Sequence, residues 1–345
     1  EELPSALEAL ARAQSEGAFD SEKGVDSSSS VDSHRQDMTL TTLRGSIGGL
    51  DGEIDAIVRR ALLTRQLPPG TMEELGVRHV KGILLHGPPG CGKTLTARMM
   101  AASLGASKTK VVAGPELLDK WVGEAERNVR ALFWDAEREW KELGADSSLH
   151  VIILDELDSM ARERGTLRGD SSGVRDSVVN QLLAIVDGVR EMDNVLLIGL
   201  SNRKDLIEPA LLRPGRLEVH LPINPPDAQG RADILHIHMR QLRAAGRLEE
   251  GAWEWAASAG MSERTQGMSG AELAGVVRGA SASAIQRAVD QGVGRVGSEH
   301  VSVQVQDLEL ALQESLASSA EKPSWGRRVL RLPKKLWSRI PPKTR

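Results

Sequence analysis

Between residues 47 and 223, short apolar runs alternate with longer stretches in which apolar residues return every third or fourth position. The runs at 82–85, 110–112, 151–154 and 195–200 are too short for helices and favour aliphatic, often β-branched residues, so each predicts a buried strand. Helical spacing covers 53–65, 93–104, 124–143 and 177–186. Short apolar strands separated by helices predict a parallel sheet covered on both faces. After Pro225-Pro226 the strand-like runs stop, and 230–242, 251–257, 271–290 and 306–316 read as helices of a small all-helical domain. The expected organisation is a polar, mostly disordered segment over 1–44, an α/β domain over 45–225, a helical domain over 226–316 and a separate tail over 317–345. The first segment holds a serine run at 27–30 and only a short helical pattern near Leu3 to Leu10. No internal repeat is visible.

Composition changes this picture little. Aromatic residues make up 3% of the chain, with no Tyr and two Phe, so the core must be built from Leu, Ile, Val and Ala. A net charge of −4 gives no global reason to expect nucleic-acid binding. One cysteine, Cys91, rules out a disulfide within the chain and fits a reducing compartment. No apolar run is long enough to span a bilayer, and no signal peptide is visible. The first residue is Glu, not Met, so a fragment or processed form is expected.

The sharpest chemical signal is Gly87-Pro88-Pro89-Gly90-Cys91-Gly92-Lys93-Thr94, which satisfies G-x-x-x-x-G-K-[ST] between a predicted strand and a predicted helix. Phosphate recognition needs donors without bulk. Glycines let backbone N–H groups curl round the anion, and the helix N-terminus adds its dipole. Lys93 would reach the β- and γ-phosphates, and the Thr94 hydroxyl would bind Mg²⁺. A second signal is the run Val151-Ile152-Ile153-Leu154-Asp155-Glu156. A strand ending in two acids puts them at the carboxyl edge of the sheet, where α/β folds bind ligands. Asp155 would hold the metal and Glu156 would polarise an attacking water. A third strand ends at Ser201-Asn202, where the Asn202 amide can hold that water or the γ-phosphate. Beyond it, Arg213-Pro214-Gly215-Arg216 presents two arginines on a tight turn, suited to phosphate in a neighbouring subunit or equally to surface ion pairs.

In this order, these four elements resemble the AAA family of ATPases. Within it, residues 82–242 resemble the first ATPase domain of the N-ethylmaleimide-sensitive, vesicle-fusing ATPases. The resemblance is carried by His79-Val80-Lys81-Gly82-Ile83-Leu84-Leu85, the Cys91-containing loop, Val178-Val179-Asn180-Gln181-Leu182-Leu183, the stretch 210–218 and Ile234-Leu235-His236-Ile237-His238. Ile47-Gly48-Gly49-Leu50-Asp51 resembles the family's entry segment, and Ser269-Gly270-Ala271-Glu272-Leu273 its lid helix. The match runs over about 46–315. It includes no counterpart of the family's amino-terminal adaptor-binding domain or of its second ATPase domain.

The resemblance implies an α/β P-loop AAA+ domain with a small helical lid, and ATP with Mg²⁺ as ligands. The nucleotide would be held by Ile47, Gly48, Gly87 to Thr94, Leu95, His238, Gly270 and Ala271. Ile47 and Gly48 would lie near the adenine and His238 near the base, unless His238 is a plain helix-surface histidine. Two histidines two apart, His236 and His238, do not share a helix face, so a metal there is not expected. Thr94 and Asp155 would take the metal. Glu156, Asn202, Arg213 and Arg216 would carry catalysis, the arginines in trans. Trp121-Val122-Gly123 would form a pore loop gripping polypeptide, unless Trp121 anchors in the core. The stretch 164–173 would be a second pore loop or an ordinary flexible one.

The implied task is ATP-driven dismantling of protein complexes in a ring, a hexamer by resemblance. The expected substrates are SNARE complexes with a SNAP-type adaptor, at Golgi or vesicle membranes from the cytoplasmic side. A different AAA unfoldase, extracting ubiquitinated or membrane proteins, and a non-catalytic nucleotide-bound scaffold are the alternatives. The tail over 321–345 has nine basic residues against Glu321, with Trp337 and leucines interleaved. It would lie on an anionic membrane or remain a solvated extension. Finally, Cys91 sits among phosphate-loop N–H groups beside Lys93. That environment predicts a thiolate-prone, maleimide-reactive cysteine, or else a small buried filler.

Overall fold

A computed structural model describes residues 79–118, 124–162, 172–188, 192–290 and 301–320, together with Gly49, Leu50, Gly52, Asp55 and Glu74. Three of the expected strands form close to their predicted bounds: β1 (Gly82–His86), β3 (His150–Asp155) and β4 (Val195–Ser201). Strand β2 (Lys108–Ala113) is longer than the apolar run that signalled it, and its first two residues, Lys108 and Thr109, are polar and exposed. The interleaved helices are α1 (Lys93–Ser103), α2 (Gly114–Leu118), α3 (Glu124–Leu143), α4 (Leu157–Met160) and α5 (Ser172–Gly188). A fifth strand, β5 (Val219–Pro222), was not expected. Its sequence Val-His-Leu-Pro is short, half polar and ends in proline, as an edge strand tolerates and a central one does not.

The sheet is parallel, with strand order β2-β3-β4-β1-β5. Its strands are apolar on both faces, and the two-residue period sends alternate side chains to different cores. On one face Leu84, Ile152, Leu154 and Leu197 pack with Val129 and Phe133 of α3 and Val178 and Leu182 of α5. On the other, Ile83, Leu85, Val151, Ile153, Leu196 and Ile198 pack with Ala97, Met99 and Met100 of α1. Leu50 joins this second core. The aliphatic and methionine filling accords with the scarcity of aromatics. The α/β P-loop arrangement expected from the residues is what the chain adopts.

Beyond the sheet come α6 (Ala228–Ala244), α7 (Ala252–Trp255), α8 (Ala259–Arg264), α9 (Gly270–Asp290) and α10 (Val305–Ala320). The chain divides into two compact units. One holds the chain to Arg240 and Ala256–Ala274; the other holds Gln241–Trp255 and the chain from Gly275. In the first, buried Arg231 on α6 donates to Thr265 Oγ1, Ser262 O and Pro226 O, tying the α6 start to the end of α8. In the second, Arg287 pairs with Asp307 at 2.8 Å and Trp255 Nε1 donates to Glu309 at 2.6 Å. No helix among the described residues is long and apolar enough to cross a membrane.

Candidate nucleotide site

Because the strands run parallel, β1, β3 and β4 all deliver their last residues to the same edge. His86 stands beside Ser201, and Asp155 closes β3. From His86 the chain turns sharply: the Gly87 N–H donates to Ser201 O at 3.2 Å. Gly87 has φ 154°, and a Cβ there would come within 2.0 Å of the Ile223 carbonyl oxygen, so no larger residue fits. Gly90 and Gly92 also have positive φ, at 77° and 88°. Gly92 caps α1 in the left-handed conformation, and the first turn of α1 carries no acidic residue. The helix therefore offers its N–H groups and dipole without a competing carboxylate.

Lys93 is 8% exposed and donates to the carbonyls of Gly87 at 2.9 Å and Pro88 at 2.8 Å. Burial lowers its pKa, opposed by Cys91, Asp155 and Asp158. Its ammonium is folded back over the loop, and a phosphate bound there would replace carbonyl partners with charged ones. Pro88, Pro89 and Gly90 form the exposed rim, and Leu95 is half-buried against the α1-side core.

The Thr94 hydroxyl donates to Asp155 Oδ2 at 2.7 Å. Asp155 Oδ1 in turn accepts the Glu156 N–H at 2.8 Å. A hydroxyl and a carboxylate, joined by phosphate oxygens, suit Mg²⁺, which keeps several waters and takes few protein ligands. Glu156 is exposed and has φ 51°, the one positive value for a non-glycine among the described residues. Such strain persists where the surroundings impose it, and it clusters at functional sites. Here the Glu156 carbonyl accepts Ser159 N–H at 2.8 Å and lies where Gly114 has no side chain.

One participant was not singled out from the sequence. Asp158 Oδ1 accepts the Ser201 hydroxyl at 2.7 Å and the Asn202 N–H at 3.3 Å, linking the β3 edge to the segment that carries Asn202. The spacing of three residues after Asp155 was its only signal. Ile234 of α6 lies 3.6 Å from where a Gly270 Cβ would stand, one turn before His238, which is exposed. The start of α9 also meets the phosphate loop. Ala271 N–H donates to Gly90 O at 3.0 Å, and a Cβ on Gly90 would lie 2.9 Å from Ser269 Oγ. Ser269 and Glu272 form a capping box at that helix start.

The thiolate reading of Cys91 is not supported. The side chain is 7% exposed, and its pKa is raised because burial outweighs the Lys93 charge, with Glu272 raising it further. The buried-filler alternative describes its packing.

The two arginines differ. Arg213 is exposed, whereas the Arg216 guanidinium pairs with Asp187 at the end of α5. Ile47, Gly48, Trp121, Val122 and Gly123, almost all of the 164–173 stretch, and the 321–345 tail lie outside the described residues. Next to the first of these, Gly49 sits so close to α6 that a Cβ on it would be 2.6 Å from Gly230 Cα.

Residues 83–225 match the AAA family, described as the ATPase family associated with various cellular activities. The chain is 50% identical over 271 residues to the vesicular-fusion protein sec18 of Schizosaccharomyces pombe, covering 78% of this chain and 34% of that protein. It is 47% identical over 286 residues to the vesicle-fusing ATPase of Caenorhabditis elegans, covering 81% and 33%. Against the vesicle-fusing ATPase of Arabidopsis thaliana the identity is 46% over 295 residues, covering 83% and 38%. The chain thus spans about a third of the length of these relatives.

Proposed function

We propose that this chain, which belongs to the AAA family of ATPases, binds and hydrolyses ATP in a ring of identical subunits and uses the energy to dismantle SNARE complexes. The observation that carries the reading is the contact of Thr94 with Asp155 beside the strained Glu156, at the sheet edge that also bears the phosphate loop.

The N–H groups of 90–94 and the Lys93 side chain bind the phosphates. Thr94 and Asp155 hold Mg²⁺, which when bound neutralises phosphate charge. Glu156 takes a proton from the attacking water, and Asn202, set through Asp158, orients it. Arg213 and Arg216 belong to the turn that faces a neighbouring subunit's nucleotide. The start of α9, held to Gly90, carries the nucleotide state toward a helical lid over 226–316.

The ring is a hexamer, Trp121-Val122-Gly123 grip the polypeptide, and a SNAP-type adaptor brings the substrate. The site of action is the cytoplasmic face of Golgi or vesicle membranes, with the basic tail as peripheral contact. Support for the substrate is the similarity to vesicle-fusing proteins over about a third of their length.

The test is ATP turnover by the 345-residue chain with and without Lys93→Ala, followed by SNARE complexes mixed with adaptor. Turnover that depends on Lys93, and loss of complex only with ATP, are the expected results. Turnover with disassembly of ubiquitinated clients instead of SNAREs would redirect the reading to an extracting unfoldase. Nucleotide binding without turnover would leave a scaffold.

A further inference from the structure

The turn that carries the two arginines is clamped to its own subunit. Arg216 Nε and Nη2 donate to the two carboxylate oxygens of Asp187 at 2.9 and 2.7 Å, and Nη1 donates to the Ala210 carbonyl. Three of the guanidinium's five N–H donors are thereby used inside the chain. The Arg216 side chain is 16% exposed and the Asp187 side chain 40%. A bidentate pair of this kind fixes both partners in orientation as well as distance.

The backbone is fixed as well. Arg216 N–H donates to Arg213 O at 3.1 Å and Leu217 N–H to Leu211 O at 3.0 Å. A Cβ on Gly82 would come within 2.1 Å of Arg216 O, so the turn lies flush on β1. From the other side, His220 Nε2 donates to Leu217 O at 2.7 Å, and Lys204 Nζ donates to His220 Nδ1 at 3.0 Å. Leu211 and Leu217 are buried in the α3/α5-side core. Against this frame Arg213 follows the Pro209–Leu212 turn with an exposed side chain.

We infer that Asp187 is a positioning residue for hydrolysis in the neighbouring subunit: it holds Arg216 as an internal strut, so that the turn presents Arg213 as the arginine that reaches the neighbour's nucleotide. The inference rests on the ring ATPase reading above and changes the part assigned to Arg216 in it. An arginine that reached across a subunit boundary would have to abandon Asp187 and the Ala210 carbonyl. Arg213 has no such cost to overcome.

The experiment compares Asp187→Asn, Asp187→Glu and Arg213→Ala in the 345-residue chain. A displaced catalytic group of this kind costs about 10²-fold in rate, so Asp187→Asn should lower kcat by about that factor. Its KM for ATP and its own nucleotide affinity should stay within about twofold of wild type. Asp187→Glu should recover most of the turnover. The location of the effect is read by mixing: wild-type subunits diluted into an excess of Lys93→Ala subunits should keep turning over ATP, and should lose it when the Lys93→Ala subunits also carry Asp187→Asn.

A second readout does not need activity. Trypsin does not cut Arg213-Pro214, so cleavage of the turn reports Arg216-Leu217. Wild type should resist it, and Asp187→Asn should be cut at least about tenfold faster at equal melting temperature.

Undiminished or raised kcat in Asp187→Asn would mean that Arg216 works best when released, and would overturn the inference. So would a loss that follows the variant's own nucleotide affinity or its melting temperature. A wild-type chain with no ATP turnover would instead overturn the proposed function, and the role of Asp187 with it.

Discussion

Thr94 Oγ1 donates to Asp155 Oδ2 at 2.7 Å across 61 positions of sequence, so a phosphate-loop residue and a strand-end acid meet where a metal would sit. Thr94→Ala removes one of the two oxygen groups and leaves the anion cradle of 87–93 intact. Half-maximal hydrolysis should then need about 10-fold or more Mg²⁺, the range seen when a metal site loses a supporting group. Titration of turnover against Mg²⁺ at fixed ATP is the measurement, and an unchanged midpoint would remove Thr94 from the metal site.

Lys93 and Glu156 should separate binding from chemistry. Lys93→Ala takes the only ammonium out of the loop and should abolish ATP binding, read with a fluorescent nucleotide. Glu156→Gln keeps shape and hydrogen bonding without the base. It should bind ATP normally and turn over about 10²- to 10⁴-fold more slowly.

Glu156 also holds its backbone at φ 51°, where a side chain costs about 1 kcal/mol or more. Glu156→Gly should therefore raise stability by about 1 kcal/mol while losing hydrolysis. Chemical denaturation would register the gain. A less stable glycine variant would mean that the side chain, not the backbone, dominates at this position.

Cys91 is the one cysteine of the chain, so every thiol signal reports it. With its pKa raised by burial, maleimide labelling at neutral pH should be slower than for a free thiol, and should rise with pH beyond the usual cysteine range. Bound ATP should protect it. Completed labelling should stop turnover, because the adduct occupies the loop, and Cys91→Ala should resist. Labelling faster than a free thiol at neutral pH would restore the thiolate reading.

The acid limb of stability should depend on Glu139. Hydrogen bonds from the Ser148 hydroxyl and N–H, then His150, lower its pKa from 4.5 to about 2. A carboxylate lowered on folding stabilises fully above its unfolded value, and the contribution disappears as pH falls through the folded one. Stability should thus decline between pH 4.5 and about 2. Glu139→Gln should flatten that decline and lower stability at neutral pH, measured by thermal melts across the range.

The three inner strands were legible because burial on both faces writes itself as an unbroken apolar run, and the interleaved helices because a buried face writes itself as a three-to-four-residue period. The phosphate loop was legible because glycine, lysine and threonine at fixed spacing have few other uses. β5 was not, since an edge strand buries one flank and needs no apolar run. Nor was Asp158, whose partners Ser201 and Asn202 are more than forty residues away.

By itself, then, the amino-acid order determined the strand–loop–helix unit, the acids at a strand end and the residues that line the glycine-rich loop, all of which are local properties. Only the tertiary structure decided how equivalent-looking residues divide their work. Arg213 and Arg216 stand three apart on one turn, yet Asp187 claims one guanidinium and leaves the other exposed. Cys91 lies beside Lys93 in sequence, yet its pKa is set by the burial around it. Charge and solvation depend on which distant segments pack nearby, and sequence spacing does not record that.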